Sequence, residues 1–435
     1  MSNLMVGTAK VDITPKVGVD LSGYVGRSGT SNGVHDNLYA NAVVLQTPNA
    51  KLVIVSCDIC GFGMKSADAI RAKISNDLNI DKKSIAVIAT HTHSAPGTLY
   101  LRNCGQIDEN WKGILHQKVV EATLAADKNL KNARIGSAIG EVVIGKNRRN
   151  PNGPIDSTLG VLYIEDKFGS PICMLINCAC HPVVLTEDNL LISADYPFYL
   201  QKKLTQVYSD KMICIFTNGA CGDIDPIERG SFELAEKYGN MLADEAVKIC
   251  KQIKTTSEVN INVKSTNVRL YFKDAPSLIE AQKILLNNKD NLQKLIQVHA
   301  SKEKIKIAQT FVDWAEELLL AVKQGKLTQS VDVEVQVMQI GDTLLVTFPG
   351  ELFCEIGLNI KGKLKYKKVF IIGYANGNIG YIPAEQAYEG GGYEVEDAHK
   401  YYGLLPLRSD AARIITEEVL RLSTSIRMNL CHREH

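Results

Sequence analysis

Short β-rich runs alternate with helix-forming segments along most of this chain of 435 residues. The apolar runs at residues 51–58, 84–89 and 212–217 are typical of strands that are buried on both faces. Segments such as residues 110–130 and 232–250 have the apolar spacing of amphipathic helices. This alternation predicts an α/β fold in which layered, mixed β-sheets are flanked by helices.

Residues 277–325 depart from the alternation and predict a helical hairpin insertion. Ser277 and Glu280 have capping-box spacing at its start. Two apolar stripes at helical spacing follow: Leu278, Ile284, Leu285, Leu292, Leu295 and Ile296 in the first helix, and Ile307, Phe311, Trp314, Leu318 and Val322 in the second. The hairpin either packs on a sheet without a further role or covers an active site and admits an acyl chain.

The charge balance excludes several classes of partner. Lysine and arginine number 49 against 48 acidic residues, so the formal net charge is only +1. A near-neutral chain of this kind gives no reason to expect nucleic acid or an anionic membrane as a partner. No stretch approaches the roughly 20 apolar residues that span a bilayer, so we predict no transmembrane segment.

Domain organisation and location follow from what the chain lacks. We find no internal repeat, low-complexity tract or long linker, which predicts one large domain over residues 1–435. The first 15 residues have no basic segment before an apolar core, so we expect no secretion signal. The 11 cysteines are scattered, several in apolar runs, which favours reduced thiols and a cytoplasmic location. The oligomeric state is not predicted.

The motif at residues 90–97 carries the sharpest chemical signal, because His91 and His93 directly follow the predicted strand 84–89. In an extended chain residues i and i+2 point to the same side, so both imidazoles are expected to project together. Ligand sites commonly form at strand ends in α/β sheets, and neutral imidazole suits zinc. The alternative is a pair of surface histidines with no shared role.

A second histidine also follows an apolar run. His181 comes directly after residues 171–179, so it is expected at a strand end like the first pair. A lone histidine is more often a core or surface residue than a ligand, but two strand ends that carry histidine favour a shared site. Asp195 is a candidate carboxylate for orienting one of the imidazoles.

Acidic residues follow two further predicted strands. Glu351 comes after Pro349 and Gly350 at the end of strand 342–348, where it could ligate a metal or act as a base. The alternative is a carboxylate that interacts with the dipole of the next helix. The loop at residues 221–226 either lines the site or forms an ordinary turn.

Other known catalytic and nucleotide-binding motifs are absent or lack the expected sequence context. The chain has no phosphate-binding Walker loop, no G-x-S-x-G nucleophile elbow and no convincing dinucleotide fingerprint. Cys57 and Cys60 have redox spacing, but they follow a strand with Asp58 between them and do not begin a helix. A thiol-redox function is therefore disfavoured.

Taken in order, the motifs resemble those of the neutral/alkaline, non-lysosomal ceramidase family, specifically its N-terminal catalytic domain. The resemblance runs from about residue 6 to residue 405 and rests on these pieces: Gly7, residues 11–14, Gly23, Tyr24, residues 33–40, 56–58 and 90–97, Asn147, Arg148, His181, Pro182, Gly222, Asp223, residues 349–351, Gly380, Tyr381 and Tyr393. Ordered agreement over so many separate pieces is harder to obtain by chance than any single one.

The resemblance implies a site and a reaction. Zinc, one ion per chain, is expected to be held by His91, His181, Glu351 and Tyr381. The catalytic groups implied beside it are His93, Arg148 and Tyr393, with His93 as the candidate general acid. The implied activity is a zinc-dependent hydrolase that cleaves the linear amide bond of a small or lipid-like N-acyl substrate by zinc-activated water.

The chain also departs from that family. Secreted ceramidases continue into a C-terminal β-rich domain, which we predict to be absent here, and their Gly-Asp loop carries serines where this chain has Gly219 and Asp225. These departures leave two alternatives open. One is a zinc deacylase or esterase that acts on a small soluble acylated metabolite or amino sugar. The other is a non-catalytic binding protein that keeps the fold.

Overall fold

A computed structural model of the chain describes residues 4–431, and side chains up to residue 426. The tail histidines His432 and His435, to which the sequence assigned no role, lie outside the described residues. The strands are β1 (Met5–Asp12), β2 (Gly33–Val34), β3 (Tyr39–Thr47), β4 (Ala50–Cys57), β5 (Ile85–Ala89), β6 (Lys131–Glu141), β7 (Gly145–Asn147), β8 (Thr158–Asp166), β9 (Pro171–Cys178), β10 (Leu191–Ile192), β11 (Ile213–Asn218), β12 (Ile224–Pro226), β13 (Ile261–Tyr271), β14 (Ser330–Ile340), β15 (Thr343–Thr347), β16 (Glu351–Leu352), β17 (Lys368–Ile372) and β18 (Tyr381–Ile382).

The helices lie between these strands and close the chain. They are α1 (Met64–Leu78), α2 (Glu109–Lys128), α3 (Tyr196–Tyr208), α4 (Phe232–Cys250), α5 (Leu278–Gln297), α6 (Lys302–Gln324), α7 (Cys354–Lys363), α8 (Tyr393–Glu396), α9 (Ala398–Tyr401) and α10 (Ala411–Cys431). Two 3₁₀ turns add to them, Lys82–Ser84 and Glu385–Tyr388.

Two mixed sheets form the centre of the molecule. The larger is 8-stranded, in the order β11-β9-β8-β6-β1-β3-β4-β5, and the smaller is 4-stranded, in the order β13-β14-β15-β17. Most neighbours are antiparallel, but β4–β5, β9–β11 and β15–β17 are parallel pairs. The carboxyl ends of these parallel pairs are where the candidate side chains begin.

The sheets are stacked face to face between two layers of helices. Alternate residues of β4 show this, because Val53 and Val55 pack against α1 and α2 while Leu52 and Ile54 pack against the second sheet. Helices α3 and α4 extend the first helical layer, and α6, α7 and α10 cover the far side of the 4-stranded sheet. The layered α/β fold with mixed sheets is therefore confirmed.

The helical hairpin is also confirmed, including its capping box at Ser277 and Glu280. Its two helices differ in burial. Helix α6 packs against the second sheet through Ala315 and Leu318, whereas α5 buries only Ala281 and Leu292. The apolar stripe of α5 is thus only partly used within this chain.

The C-terminal region differs in extent from what its sequence pattern predicts. The Gly- and Tyr-rich residues 376–402 predict a long loop, but the segment contains β18 and two helices of four residues each. Such short elements have no periodicity that a sequence pattern can reveal. The sequence predicts a last helix over residues 409–422, but α10 extends to Cys431, with Ile426 buried. Among the described helices, none combines the length and apolar character needed to span a bilayer.

Candidate metal centre

The candidate site lies where the two sheets meet at the ends of their parallel strands. Backbone hydrogen bonds join the strand ends: the Ala89 amide donates to the Tyr374 carbonyl at 3.1 Å, and the Gly373 amide donates to the Asn218 carbonyl at 2.9 Å. Ile88 and Ala375 form an isolated bridge between the sheets. Side chains that leave either sheet at this point therefore enter the same space.

His91 and His93 meet, but not for the expected reason. The strand ends at Ala89, and His91 has a φ of 74°, so the chain leaves the extended conformation at His91. A non-glycine residue at positive φ costs of order 1 kcal/mol, which the surrounding structure must offset. The two Nε2 atoms lie 3.3 Å apart. The Gly23 backbone approaches the His93 ring so closely that a Cβ there would lie 2.4 Å from it.

Backbone carbonyls hold the two buried imidazoles in one tautomer. His91 Nδ1 lies 2.6 Å from the Cys60 carbonyl, and His181 Nδ1 lies 3.1 Å from the Ile224 carbonyl. A carbonyl oxygen can only accept a hydrogen bond, so both Nδ1 atoms carry the proton in these contacts. The Nε2 atoms then face the site, and once they are free of a proton their lone pairs can bind a metal ion, as in a metal-bound histidine.

Glu351 and Tyr381 come from a separate small ladder. They are paired residues of the parallel strands β16 and β18, so their side chains leave the ladder on the same side. Burial alone would raise the pKa of Glu351, but the facing His91 and His181 imidazoles hold it well below its usual value. Glu351 is therefore an anion in a buried position.

These groups converge on one point. Glu351 Oε2 lies 3.4 Å from His91 Nε2 and 3.2 Å from His181 Nε2, and the ligand atoms of the three residues all lie within 4.8 Å of one another. Two nitrogen lone pairs and a carboxylate oxygen would repel one another, and either protons on the imidazoles or a metal cation among the three groups removes that repulsion. Nitrogen and oxygen donors at this spacing fit zinc, and a site without cysteine ligands is typical of catalytic rather than structural zinc.

Two tyrosines that sequence reasoning missed support this group. The Tyr402 hydroxyl donates a 2.6 Å hydrogen bond to Glu351 Oε1, which leaves Oε2 for the imidazole side. The Tyr374 ring stacks on the His91 ring with centroids 3.9 Å apart, and its hydroxyl lies 3.5 Å from Glu351 Oε2. The only available signal was that both lie close to the ligand positions in a tyrosine-rich segment.

Arg148 joins the site through the phenol of Tyr381. Its Nη2 donates to the Tyr381 hydroxyl at 3.1 Å, while Nη1 and Nε bind Asp225 at 3.1 Å and Glu394 at 2.9 Å. Burial would lower the pKa of Arg148, but Tyr381 and the two carboxylates raise it well above its usual value, so the guanidinium stays charged. Burial raises the pKa of the Tyr381 phenol, and the Arg148 charge opposes that shift.

A cavity of about 220 Å³ opens onto the group. His91, His93, Glu351 and Tyr381 line it, together with Tyr393, whose ring centroid lies 5.8 Å from that of Tyr381. Tyr393 is 45% exposed and therefore stands at the rim. Glu303 and Ile307 of α6 also line the cavity, so the hairpin both packs on a sheet and covers the site.

A family model described as neutral/alkaline non-lysosomal ceramidase, N-terminal, matches residues 4–314, which is more than half of the chain. The chain belongs to this ceramidase family. Curated relatives agree: the neutral ceramidase of Drosophila melanogaster is 24% identical over 254 residues, and neutral ceramidase 3 of Arabidopsis thaliana is 25% identical over 170. These matches cover 51% and 36% of this chain but only 36% and 22% of the relatives, so the chain spans about a third or less of their length.

Solved structures show the same ceramidase fold. The crystal structure of neutral ceramidase from Pseudomonas aeruginosa matches with a TM-score of 0.75 and 20% identity, covering 99% of this chain and 75% of that one. A structure described as ceramidase complexed with C2 matches with a TM-score of 0.75 and 17% identity, covering 99% and 76%. The family assignment and the fold made from the sequence are thereby confirmed.

Within this ceramidase fold, one expected support is absent and another is present. Asp195 was expected to orient an imidazole, but its carboxylate instead accepts hydrogen bonds from the Leu185 amide at 2.9 Å and the Tyr196 amide at 2.7 Å. It caps α3, since an aspartate that directly precedes a helix satisfies free amides most easily there. The loop at residues 221–226 does line the site, because it supplies the Ile224 carbonyl to His181 and the Asp225 carboxylate to Arg148.

Proposed function

We propose that this member of the ceramidase family is a zinc-dependent hydrolase that cleaves the linear amide bond of an N-acyl substrate. The proposal is carried by one observation: two imidazole Nε2 atoms and the Glu351 carboxylate converge on one point beside a cavity of about 220 Å³. His91, His181 and Glu351 would hold one zinc ion per chain, with the Tyr381 phenol as the fourth ligand. When bound, zinc polarises a carbonyl and lowers the pKa of a coordinated water toward about 7.

The remaining groups suit the other needs of amide cleavage. Arg148 keeps a positive charge beside Tyr381, where it can stabilise negative charge that develops on the amide oxygen. Tyr393 presents a phenol at the rim and can donate a hydrogen bond to the same oxygen. His93 faces the cavity with Nε2 and can pass a proton to the leaving amine.

Metal analysis and a substrate screen test the proposal together. Purified protein is expected to contain about one zinc per chain and to release amine from N-acyl substrates in a chelator-sensitive way. Added zinc should restore the activity of the chelated protein. A metal-free protein that hydrolyses the same amides at full rate would refute the zinc mechanism, and zinc-loaded protein without any hydrolytic activity would favour the binding-protein alternative.

A second candidate is a zinc deacylase or esterase that acts on a small, soluble acylated metabolite. The cavity favours it, because about 220 Å³ is less than the roughly 300–1,000 Å³ of typical sites for drug-sized ligands. Rates on N-acyl-sphingosine and on short N-acyl amines separate the two candidates. A preference for the short compounds supports the second, and a preference for the long-chain lipid supports the first.

A further inference from the structure

Arg27 carries a buried edge of its guanidinium that has no hydrogen-bond partner. Its Nη1 donates to the Ser22 carbonyl at 3.0 Å and to the His93 carbonyl at 2.9 Å. Its Nε and Nη2 are buried and donate to no described atom, although the residue is only 5% exposed. The face of the guanidinium stacks on Tyr24, 4.9 Å from the ring centroid, which leaves the in-plane N–H groups unsatisfied. A buried, unpaired charged donor is costly, so it needs an explanation.

A second cavity lies along this side chain, next to the candidate metal centre. It has a volume of about 540 Å³, and Arg27 and Lys306 both line it. Tyr24 and Leu101 belong to the walls of both cavities, so the two spaces are direct neighbours. A substrate held at the metal centre reaches Arg27 if it displaces the side chains of this shared wall.

The charges around this second cavity favour an anion. The Lys306 ammonium donates to the Arg27 backbone carbonyl at 3.0 Å, so a second cationic side chain is fixed on the wall of the same cavity. Asp20 also lines the cavity, but its Oδ2 already accepts the Gln106 amide at 2.9 Å. Glu187 and Glu303 line the neighbouring cavity and make no described ion pair with Arg27, although the Glu187 charge partly offsets the fall in the pKa of Arg27 that burial causes. Two cationic side chains on one cavity wall, neither in a described ion pair, are stabilised by a bound anion.

We propose that Arg27 and Lys306 form a subsite for an anionic group with two oxygens, a carboxylate or a phosphate, on the substrate. The Nε–Nη2 edge of arginine presents two parallel N–H groups that match such a group in a bidentate pair. The preferred substrates are then N-acyl compounds whose amine part is acidic, such as N-acyl amino acids. This inference rests on the proposed function for the bond that is cleaved, but the anion subsite can be tested without it. Because Nε and Nη2 are buried in the structure, binding of the anionic group requires a shift of the side chains that cover them.

Substrate pairs that differ only in charge provide the kinetic test. Zinc-loaded protein is assayed on N-butanoyl derivatives of glycine, β-alanine and 4-aminobutanoate, on their uncharged primary amides, and on the matching aminoalkyl phosphates. At least one acidic member should exceed its neutral partner in kcat/KM by roughly 10- to 100-fold, mainly through KM. The carboxylate and phosphate arms show which oxyacid the subsite prefers. Equal rates on all charged and neutral partners would overturn the proposal.

Variants assign the preference to these two residues. Arg27→Gln and Lys306→Gln should each reduce the ratio of acidic to neutral kcat/KM, whereas Lys304→Gln, an exposed lysine on the same helix, should leave that ratio unchanged. Arg27→Lys keeps the positive charge but loses the two parallel N–H groups. Its ratio of acidic to neutral kcat/KM should therefore lie between those of the wild-type protein and Arg27→Gln. Loss of both rates in equal proportion would show that Arg27 merely supports His93, and would overturn the subsite.

Calorimetry separates failure of the subsite from failure of the proposed function. Keto acids in which a CH₂ replaces the amide NH cannot be hydrolysed, and their uncharged primary amides are matched controls. Wild-type protein should bind the keto acids more tightly than the controls, and Arg27→Gln should abolish the difference. If no amide is cleaved but this binding difference remains, the subsite stands and the hydrolase proposal fails.

Discussion

The nitrogen and oxygen donors of the candidate metal centre are held in different ways. His91 and His181 leave the large sheet, and backbone carbonyls of Cys60 and Ile224 hold their Nδ1 atoms. Glu351 and the Tyr381 phenol leave the β16–β18 ladder, and other side chains hold them. A backbone support survives any substitution at its residue, whereas a side-chain support can be removed by one mutation. The oxygen half is therefore the part of the site that single substitutions can adjust.

Removal of a metal ligand should have the largest effect, and the effect should be equally severe for a nitrogen ligand and for an oxygen ligand. His181→Ala and Glu351→Ala each delete one of three converging donors, so we expect loss of bound zinc and of hydrolysis. The loss should exceed the roughly 10- to 100-fold that removal of an outer partner costs. Metal content after dialysis and kcat/KM measure it. His116→Ala on α2 is the control, and a zinc-loaded, active Glu351→Ala would contradict the oxygen half of the site.

Arg148→Gln should come next, because it removes a fixed positive charge near the amide oxygen. We expect kcat to fall by roughly 100- to 1,000-fold, as for other fixed transition-state donors, while zinc content is largely retained. The neighbouring Arg149 binds Glu394 but makes no described bond to Tyr381, so Arg149→Gln is the matched control. Similar losses in both variants would mean that only the position of Glu394 matters.

Tyr402→Phe and Tyr374→Phe test how the carboxylate is held. Tyr402 donates at 2.6 Å and Tyr374 at 3.5 Å, so the first substitution should weaken zinc affinity by roughly 10- to 100-fold and the second by much less. Competition with a chromophoric chelator measures both affinities. The reverse order would show that Tyr374, which also stacks on His91, is the main support.

Asp195→Asn should have the smallest effect. Asparagine caps helices about as well as aspartate but has an acceptor oxygen for only one of the two amides, so we expect a loss of roughly 1–3 kcal/mol in the free energy of unfolding and no effect on the metal centre. Zinc affinity should stay unchanged, because Asp195 does not contact an imidazole in the structure. Denaturant titration and the chelator assay measure the two quantities. A clear drop in zinc affinity would restore Asp195 as a support of the metal centre.

Local patterns were sufficient for most of the fold. Helix α4 has the bounds 232–250 that its apolar spacing predicted, and the capping box at Ser277 begins α5 one residue later. Strand runs were correct to within a few residues, because burial on both faces leaves a continuous apolar signal. The family was also readable, since its motifs occur in order. Elements of two to four residues, such as β16, β18 and α8, could not be predicted from the sequence, because they are too short to show a hydrophobic periodicity.

The sequence by itself determined the layered α/β class, the hairpin, the family and the residue types of the site. Only the tertiary structure decided how the site is held: the positive φ of His91, the carbonyls that set the histidine tautomers, the Tyr402 bond to Glu351 and the unpartnered edge of Arg27. The physical reason is the separation along the sequence between the residues that interact. Periodicity and capping depend on neighbours a few residues apart, whereas these contacts join backbone and side-chain atoms that are distant in sequence, and no local pattern encodes such distances.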